Sequence, residues 1–230
     1  MMGDAGTLSA VLAISISTAA LDDIAQALRA AVLPLAAAAA VDRMVVNVAD
    51  VDPGTARWVR PGEEEPAPLY KAVVELTVAR PAFGETLDSV LAALASVADR
   101  VHVWRVTRLP ARVGADATPG GIKYLVLCAF HDDLSDRAAR RSWDHHVPLA
   151  LRIHEGASRY VRSWFDAPLT PATPPFQGMT ELYFPTRGDM ERRWFGGDDR
   201  RAEIVQDIGH FLRGGVRLYT TEHVLKDLPA

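Results

Sequence analysis

The chain has 230 residues, of which 49% are hydrophobic and 23% are charged, with a formal net charge of −4. This composition is that of a folded globular protein and argues against disorder. The acidic balance, without any run of Lys or Arg, argues against general nucleic-acid binding, which requires a concentrated basic surface.

The first apolar stretch, Leu8 to Leu21, has the length of a signal-peptide core. The residues before it contain Asp4 and no Lys or Arg, so a secretory signal is not expected. The stretch is also too short to span a bilayer. Its β-branched residues favour a strand over residues 8–17. The chain has a single cysteine, Cys128, which lies in an apolar run and is expected to be a reduced core residue. The sequence therefore predicts a cytoplasmic protein.

Residues 7–110 alternate between strand-like and helix-like apolar spacing. The predicted order is strand, helix, two strands, helix and strand, with a loop over Asp52–Pro68 between the paired strands. The predicted elements are Leu8–Ser17, 21–35, Arg43–Asp50, Lys71–Ala79, Thr86–Arg100 and Val101–Leu109.

After a predicted linker at Pro110–Gly121, residues 120–226 follow the same order. The predicted elements are Ile122–Phe130, Ser135–His154, Ser158–Phe165, Met179–Phe184, Arg200–Leu212 and Val216–Leu225. Local matches, such as Leu33–Ala36 with Val147–Ala150, support a duplication. The sequence therefore predicts an α+β fold of two tandem ferredoxin-like βαββαβ domains, residues 7–110 and 120–226.

Each such unit covers one face of its sheet with helices and leaves the other face bare. We expect the two bare faces to pair, sheet to sheet, around a space that can hold a small molecule. Polar residues on the strands, Arg162, Glu181 and His223, are expected to line that space.

Several ordered motifs in the second half carry a resemblance to a known family. They are Leu134-Ser135, Ser142–Ala150, Gly156, Arg159–Val161, Gly178–Phe184 and Thr220–Leu225. Together they make residues 120–226 resemble the EthD family, while residues 7–110 are a degenerate copy linked to it through the internal repeat.

The resemblance implies a dimeric α/β barrel, which a tandem chain would form within one polypeptide. Members of the family are associated with the catabolism of ethers and other xenobiotics and are loosely labelled oxidoreductases. Fungal relatives resemble dehydratases or decarboxylases of aromatic polyketides. Neither use requires a bound metal or nicotinamide.

The family's recurring histidine, two residues before a proline, corresponds to His146, which precedes Pro148. Its imidazole could act as a general acid or base. The aligned residue of the first half, Val32, cannot transfer a proton. The alternative is a structural histidine that is hydrogen-bonded in the core, and the adjacent His145 points about 100° away around the helix.

The expected substrate-binding residues surround this histidine in the proposed fold. They are Trp143, Tyr160, Arg162, Trp164, Glu181, Tyr219 and His223. The strand sequences do not determine which alternate side chains face the cavity. Glu181 also has an equivalent in Glu75, which makes a structural role as plausible as a chemical one.

We expect no cofactor and no metal, because the four histidines at positions 131, 145, 146 and 154 lack a metal-binding spacing and the glycine pairs lack a phosphate-binding pattern. Haem bound through a histidine stays open as an alternative. The expected partner is a small hydrophobic ligand, without nucleic acid or membrane, and both a monomer and a homodimer are compatible with the sequence.

Three functions follow from these features. The first is a cofactor-independent enzyme, lyase-like or catabolic, with His146 as the acid or base. The second is a non-catalytic ligand-binding or accessory protein of a catabolic pathway. The third is a dimerisation module whose barrel is filled by side chains.

Overall fold

A computed structural model describes residues 6–16, 21–52, 70–114 and 121–228. Most of the predicted loop at Asp52–Pro68, part of the predicted linker at Pro110–Gly121 and the end of the first predicted strand lie outside the described residues. No helix among the described residues is both long and apolar enough to cross a bilayer.

The described part of the chain contains eight strands and five α-helices. The strands are β1 (Thr7–Ser15), β2 (Val41–Val48), β3 (Ala72–Ala79), β4 (Arg100–Arg112), β5 (Ile122–Phe130), β6 (Arg159–Pro168), β7 (Gly178–Phe184) and β8 (Leu212–Asp227). The helices are α1 (Leu21–Ala36), α2 (Phe83–Leu94), α3 (Asp136–Ile153), α4 (Arg187–Arg193) and α5 (Asp198–Gly209).

All eight strands form one closed antiparallel barrel in the order β1-β3-β2-β8-β5-β7-β6-β4. Two seams close it, where β2 pairs with β8 and β4 pairs with β6. The protein is therefore an α+β fold built on an eight-stranded barrel. The two sets of strands meet through hydrogen-bonded edges at the seams, and their inward faces pack against each other inside the barrel, as expected.

Alternation along the strands separates an outer, helix-covered face from the barrel interior. On β1, Leu12 and Ile14 pack with α1 and α2, whereas Val11 and Ala13 belong to the interior cluster. On β5, Tyr124 and Cys128 pack on the outer face and Leu125 and Leu127 point inward. As a result, each set of four strands has a helix-covered core outside the barrel, and a third core lies within it.

A buried charge network occupies part of the barrel interior, which we define as Lys123, Glu75, Glu181, Glu222 and Arg108. The Lys123 ammonium lies 2.7 Å from Glu181 and 2.9 Å from Glu222 and also binds Glu75. The Arg108 guanidinium lies 3.2 Å from Glu75 and 3.5 Å from Glu181. These ion pairs join strands from both halves of the chain, so the network links the two sides of the barrel.

Candidate functional site

His146 lies on the buried face of α3, which packs on the outside of the barrel. The helix begins after Ser135, whose side chain accepts a hydrogen bond from the backbone N–H of Ala138. The buried residues of α3 recur at helical spacing and are Ala139, Trp143, His146, Ala150 and Ile153. His145 is exposed, as the angle between neighbouring helical side chains predicts.

The imidazole of His146 is held by Asp207 of the neighbouring helix α5. The Nδ1 atom of His146 lies 2.6 Å from a carboxylate oxygen of Asp207. Burial lowers the pKa of His146, although the Asp207 carboxylate opposes that shift. The neutral ring therefore keeps its hydrogen on Nδ1 and its lone pair on Nε2. Among the described residues, the Nε2 atom of His146 has no hydrogen-bond partner.

A pocket of about 70 Å³ lies beside His146, between the outer face of the barrel and helices α3 and α5. Its lining is apolar and aromatic, with a few polar atoms, and the described residues contribute no Lys, Arg, Asp or Glu to it. The lining residues are Tyr124, Val126, Cys128, Trp143, His146, His154, Thr180, Leu182, Trp194, Phe195, Ile204, Ile208, Phe211 and Leu212.

The volume of this pocket limits the ligand that fits. It is smaller than the cavity of about 150 Å³ that holds a benzene molecule in a well-studied lysozyme variant. It is also below the range of about 300–1,000 Å³ for pockets that bind drug-sized ligands. The enclosed part of the pocket therefore takes a group smaller than a benzene ring, and because the pocket is open to solvent on one side, a larger ligand can extend out of it.

The sequence-predicted binding residues fall into two groups in the structure. Trp143 lines the pocket with His146, and Tyr219 contacts two further lining residues, with ring centroids 5.1 Å from Tyr124 and 6.1 Å from Trp194. Tyr160 and Trp164 belong to the same aromatic layer outside the barrel but are not pocket-lining residues.

Two residues expected between the sheets lie elsewhere. Arg162 is on the outer face, where its guanidinium is 2.9 Å from the Asp144 carboxylate. His223 pairs with Val46, an outer-face residue, and lies near Arg29 of α1. The prediction failed because the strand sequences do not show which of the alternating side chains point inward.

Glu181 is the one predicted binding residue that points into the barrel, where it belongs to the buried charge network. Its equivalent, Glu75, binds the same Lys123. This arrangement favours the structural role that the repeat had suggested for both glutamates.

Three polar residues of the site were not predicted as site residues. Asp207 is distant in sequence and meets His146 only through the packing of α5 on α3. His154 follows the last residue of α3 and lines the pocket, and its Nδ1 lies 2.8 Å from the carbonyl oxygen of Trp194. Thr180 lines the pocket from β7. Of these three residues, only His154 could have been suspected from the sequence, because it lies on the same predicted helix as His146.

Gly178 allows Trp143 to pack against β7. A Cβ atom at this position would lie 2.5 Å from the indole of Trp143 and 2.9 Å from the carbonyl oxygen of Ser163. The glycine therefore sets the depth at which the tryptophan enters the aromatic layer.

Cys128 is buried on the wall of the pocket, which confirms its prediction as a core residue. Burial raises the pKa of its thiol to about 12, so the thiolate needed for nucleophilic attack does not form near neutral pH. Over the ranges that the structure describes, no group of three or more His, Cys, Asp or Glu side chains is arranged to hold a metal ion.

Comparison with known proteins shows similarity of fold only. No protein-family model matches the chain, and no curated protein matches it. A protein provisionally named a monooxygenase from Fusobacterium nucleatum aligns over 96% of this chain and 94% of its own, with a TM-score of 0.61 and 10% identity. An anthrone oxidase-like protein aligns over 99% and 97%, with a TM-score of 0.59 and 9% identity.

A second provisionally named monooxygenase, from Lactobacillus acidophilus, aligns over 96% of this chain and 97% of its own, with a TM-score of 0.53 and 10% identity. The likeness to these structures extends over nearly the whole chain in each comparison. The protein thus shares the barrel fold of these solved structures.

Proposed function

We propose that this protein is an EthD-like, cofactor-independent enzyme that moves a proton on a small apolar molecule, with His146 as the base. The observation that carries the proposal is the contact of 2.6 Å between His146 Nδ1 and Asp207, beside an apolar pocket. A carboxylate in this position fixes the tautomer of the imidazole and stabilises the imidazolium that forms when Nε2 takes a proton.

The chemistry that the pocket supports is proton abstraction at a carbon next to a carbonyl group. The carbon–hydrogen bond would break, its proton would pass to His146 Nε2, and the electron pair would move into the carbonyl to form an enolate. Return of the proton to oxygen or carbon completes the cycle without an oxidant or a metal. A lowered pKa helps, because the base is then unprotonated at neutral pH.

The wider family assignment rests on the fold and on the motifs around His146. The solved structures with the same fold include proteins named as monooxygenases and an anthrone oxidase-like protein. Oxidation of a carbon acid also begins with removal of a proton, so these names are compatible with the chemistry proposed here.

We also infer that residues 7–110 and 120–226 are tandem ferredoxin-like halves. In support, the strand order is the same in each half, β4-β1-β3-β2 in the first and β8-β5-β7-β6 in the second. The chain would then supply both halves of its own barrel, and a cytoplasmic setting and the oligomeric state stay as predictions.

A non-catalytic ligand-binding protein is the alternative function. It is favoured by the limited pocket volume of about 70 Å³ and by the lack of a cationic side chain among the lining residues that the structure describes. Such a pocket can hold a small apolar molecule without promoting its reaction.

Deuterium exchange distinguishes the two functions without knowledge of the natural substrate. Cyclohexanone and 2-hydroxycyclohexanone would be incubated with the protein in deuterated buffer, and exchange at the carbon next to the carbonyl followed by NMR. We expect the wild-type protein to accelerate exchange and His146→Gln to reduce the acceleration by at least about a hundredfold, the lower end of typical acid–base contributions.

The matched control is His145→Gln, which changes the neighbouring exposed histidine and should leave exchange unchanged. Equal exchange in the wild-type protein and in His146→Gln would remove His146 from the mechanism. Binding of either ketone without any exchange would favour the non-catalytic alternative.

A further inference from the structure

The pocket contains a second imidazole, His154, whose chemical state is fixed by its surroundings. Its Nδ1 lies 2.8 Å from the carbonyl oxygen of Trp194. A carbonyl oxygen can only accept a hydrogen bond, so the hydrogen of the neutral ring sits on Nδ1. The lone pair on Nε2 is therefore a hydrogen-bond acceptor.

His154 keeps this state across the physiological pH range. Burial lowers its pKa to about 4, with smaller contributions from His146 and Arg112. Above about pH 5 the ring is almost entirely neutral, and Nε2 has no hydrogen to donate. In contrast to His146, it has no carboxylate partner within the described ranges to stabilise a positive charge, so it is poorly suited to act as the base.

The backbone around His154 is held in place by Arg112 of β4. The guanidinium donates hydrogen bonds to the carbonyl oxygens of His154, Leu151 and Ala157 at 2.6–2.8 Å. The ring also packs edge-on against Phe195, with centroids 5.6 Å apart. Hydrogen bonds fix both the backbone near His154 and the Nδ1 atom of its ring. The direction from which Nε2 can accept a hydrogen bond from a ligand is therefore fixed as well.

The charge of the lining indicates which ligands are accepted. Among the described residues, no Lys or Arg lines the pocket, and the Asp207 carboxylate contacts His146. The nearby Arg162 acts on His146 electrostatically but is paired with Asp144. A ligand carboxylate would meet the lone pairs of two imidazoles and would lose its hydration without a cation in the lining, which is unfavourable. The ligand should therefore be neutral and should offer a hydrogen-bond donor.

We propose that the pocket selects small neutral compounds that carry a hydroxyl group, with the O–H donating to His154 Nε2 and with His146 left free to act as the base. This inference rests on the proposed function, in which the same pocket is the ligand site, and adds the substrate class. His154 is then a specificity-determining residue.

Phenol and toluene provide a matched pair of probes, since they are nearly equal in size and differ in the hydroxyl group. Binding would be followed by NMR through the indole N–H signals of Trp143 and Trp194, which both line the pocket. We expect the wild-type protein to bind phenol at least about tenfold more tightly than toluene, because toluene leaves Nε2 without a partner. Benzoate should bind more weakly than phenol.

The variant His154→Asn can keep a side-chain N–H near the Trp194 carbonyl while it removes the Nε2 atom, because the shorter amide does not reach the position of that acceptor. We expect this variant to bind phenol less than about twofold more tightly than toluene, because the hydrogen bond that distinguishes the two probes is lost. The exposed His145→Asn should keep the wild-type preference. His146→Asn should keep it as well, because the hydroxyl is assigned to His154.

Equal binding of phenol and toluene by the wild-type protein would overturn the hydroxyl selection, whether or not the variants fold. So would a preference that persists in His154→Asn or is lost only in His146→Asn. If neither probe shifts the signals of Trp143 and Trp194, the pocket is not the ligand site, and the proposed function fails together with this inference.

Discussion

The contact between His146 and Asp207 is the residue-scale feature on which the chemistry depends. Asp207 is partly exposed, with 38% of its side chain accessible, whereas His146 is buried. A buried imidazole alone resists protonation, and the carboxylate offsets part of that resistance. The imidazole of His146 is therefore neutral before it accepts a proton, and the Asp207 carboxylate stabilises the imidazolium that then forms.

Asp207→Asn tests this role. Because the carboxylate raises the pKa of His146 against the effect of burial, its removal should lower that pKa further. An asparagine can also donate to Nδ1 and move the hydrogen of the ring to Nε2, which removes the base. We expect proton exchange to slow by at least about tenfold, with the pKa measured by NMR titration of the imidazole.

Glu203→Gln is the control for this variant, because Glu203 is an exposed acidic residue on the same helix and pairs with Arg152. It should leave the titration of His146 unchanged. An unchanged or raised pKa of His146 in Asp207→Asn would show that the carboxylate does not act on the imidazole.

The sequence allowed the prediction of His146 but not of its partner. His146 stood out through its family motif and through the non-titratable residue aligned with it. Asp207 lies on an amphipathic helix whose polar residues look alike from spacing alone, and its contact depends on how α5 packs on α3. Arg162 and His223 were misplaced for a different reason, since alternation along a strand separates its two faces without showing which one faces the barrel interior.

At the scale of elements, the packing of α3 on β7 positions the site. The indole of Trp143 occupies the space left by the missing side chain of Gly178. Trp143 also contacts Phe130, with ring centroids 5.3 Å apart, and lies three residues before His146 on the same buried face. Displacement of the tryptophan should therefore change both stability and the pocket.

Gly178→Ala should reduce the free energy of unfolding by about 1–3 kcal/mol, the usual cost of an added methyl group in a packed core. Urea denaturation provides the measurement. Gly84→Ala is the control, because a Cβ atom there meets nothing within 4 Å and lies in helix α2. A loss of stability in Gly178→Ala no larger than in the control would contradict the packing role.

Most elements could be predicted from apolar spacing, and the two clear exceptions have physical explanations. β4 continues through Pro110 to Arg112, where the sequence predicted a linker. The strand tolerates the proline next to a register shift in its pairing with β6. α4 was missed because its seven residues are mainly polar and include one buried residue, Met190.

On the scale of the whole molecule, the barrel is closed by seams between distant segments and by the buried charge network. Pairing of β2 with β8 and of β4 with β6 depends on long-range register, which local spacing does not encode. The sequence therefore indicated two related sheets in one barrel but not which strands pair at the seams. The sequence also did not show that the charged residues of the network contact one another, since they lie on separate strands.

Removal of the central cation should destabilise the barrel. Lys123 is 1% exposed and forms ion pairs with three carboxylates, so Lys123→Met would leave these buried negative charges without their central cation. We expect a loss of about 3–5 kcal/mol in the free energy of unfolding, measured by urea denaturation. Lys226 is partly exposed and donates one hydrogen bond, to the Ala38 carbonyl oxygen, so Lys226→Met should change the free energy of unfolding by only about 1 kcal/mol. Equal losses in the two variants would contradict the role of the network.

The same network predicts a loss of stability in acid. Burial alone would raise the pKa values of Glu75 and Glu222, but Lys123 and the neighbouring arginines hold them below the usual range. Their stabilising contribution is thus complete above the unfolded pKa of about 4.3 and is lost as pH falls through the lower folded values. Unfolding measured against pH should show this decline below about pH 4.

The central claim is that the ligand binds in the helix-covered pocket outside the barrel and not within it. Three tryptophans report on the two locations, because Trp143 and Trp194 line the pocket while Trp104 belongs to the interior cluster. A titration with phenol, followed through the indole N–H signals of the protein, tests the claim most directly. The account predicts shifts for Trp143 and Trp194 with little change for Trp104, and shifts confined to Trp104 would contradict it.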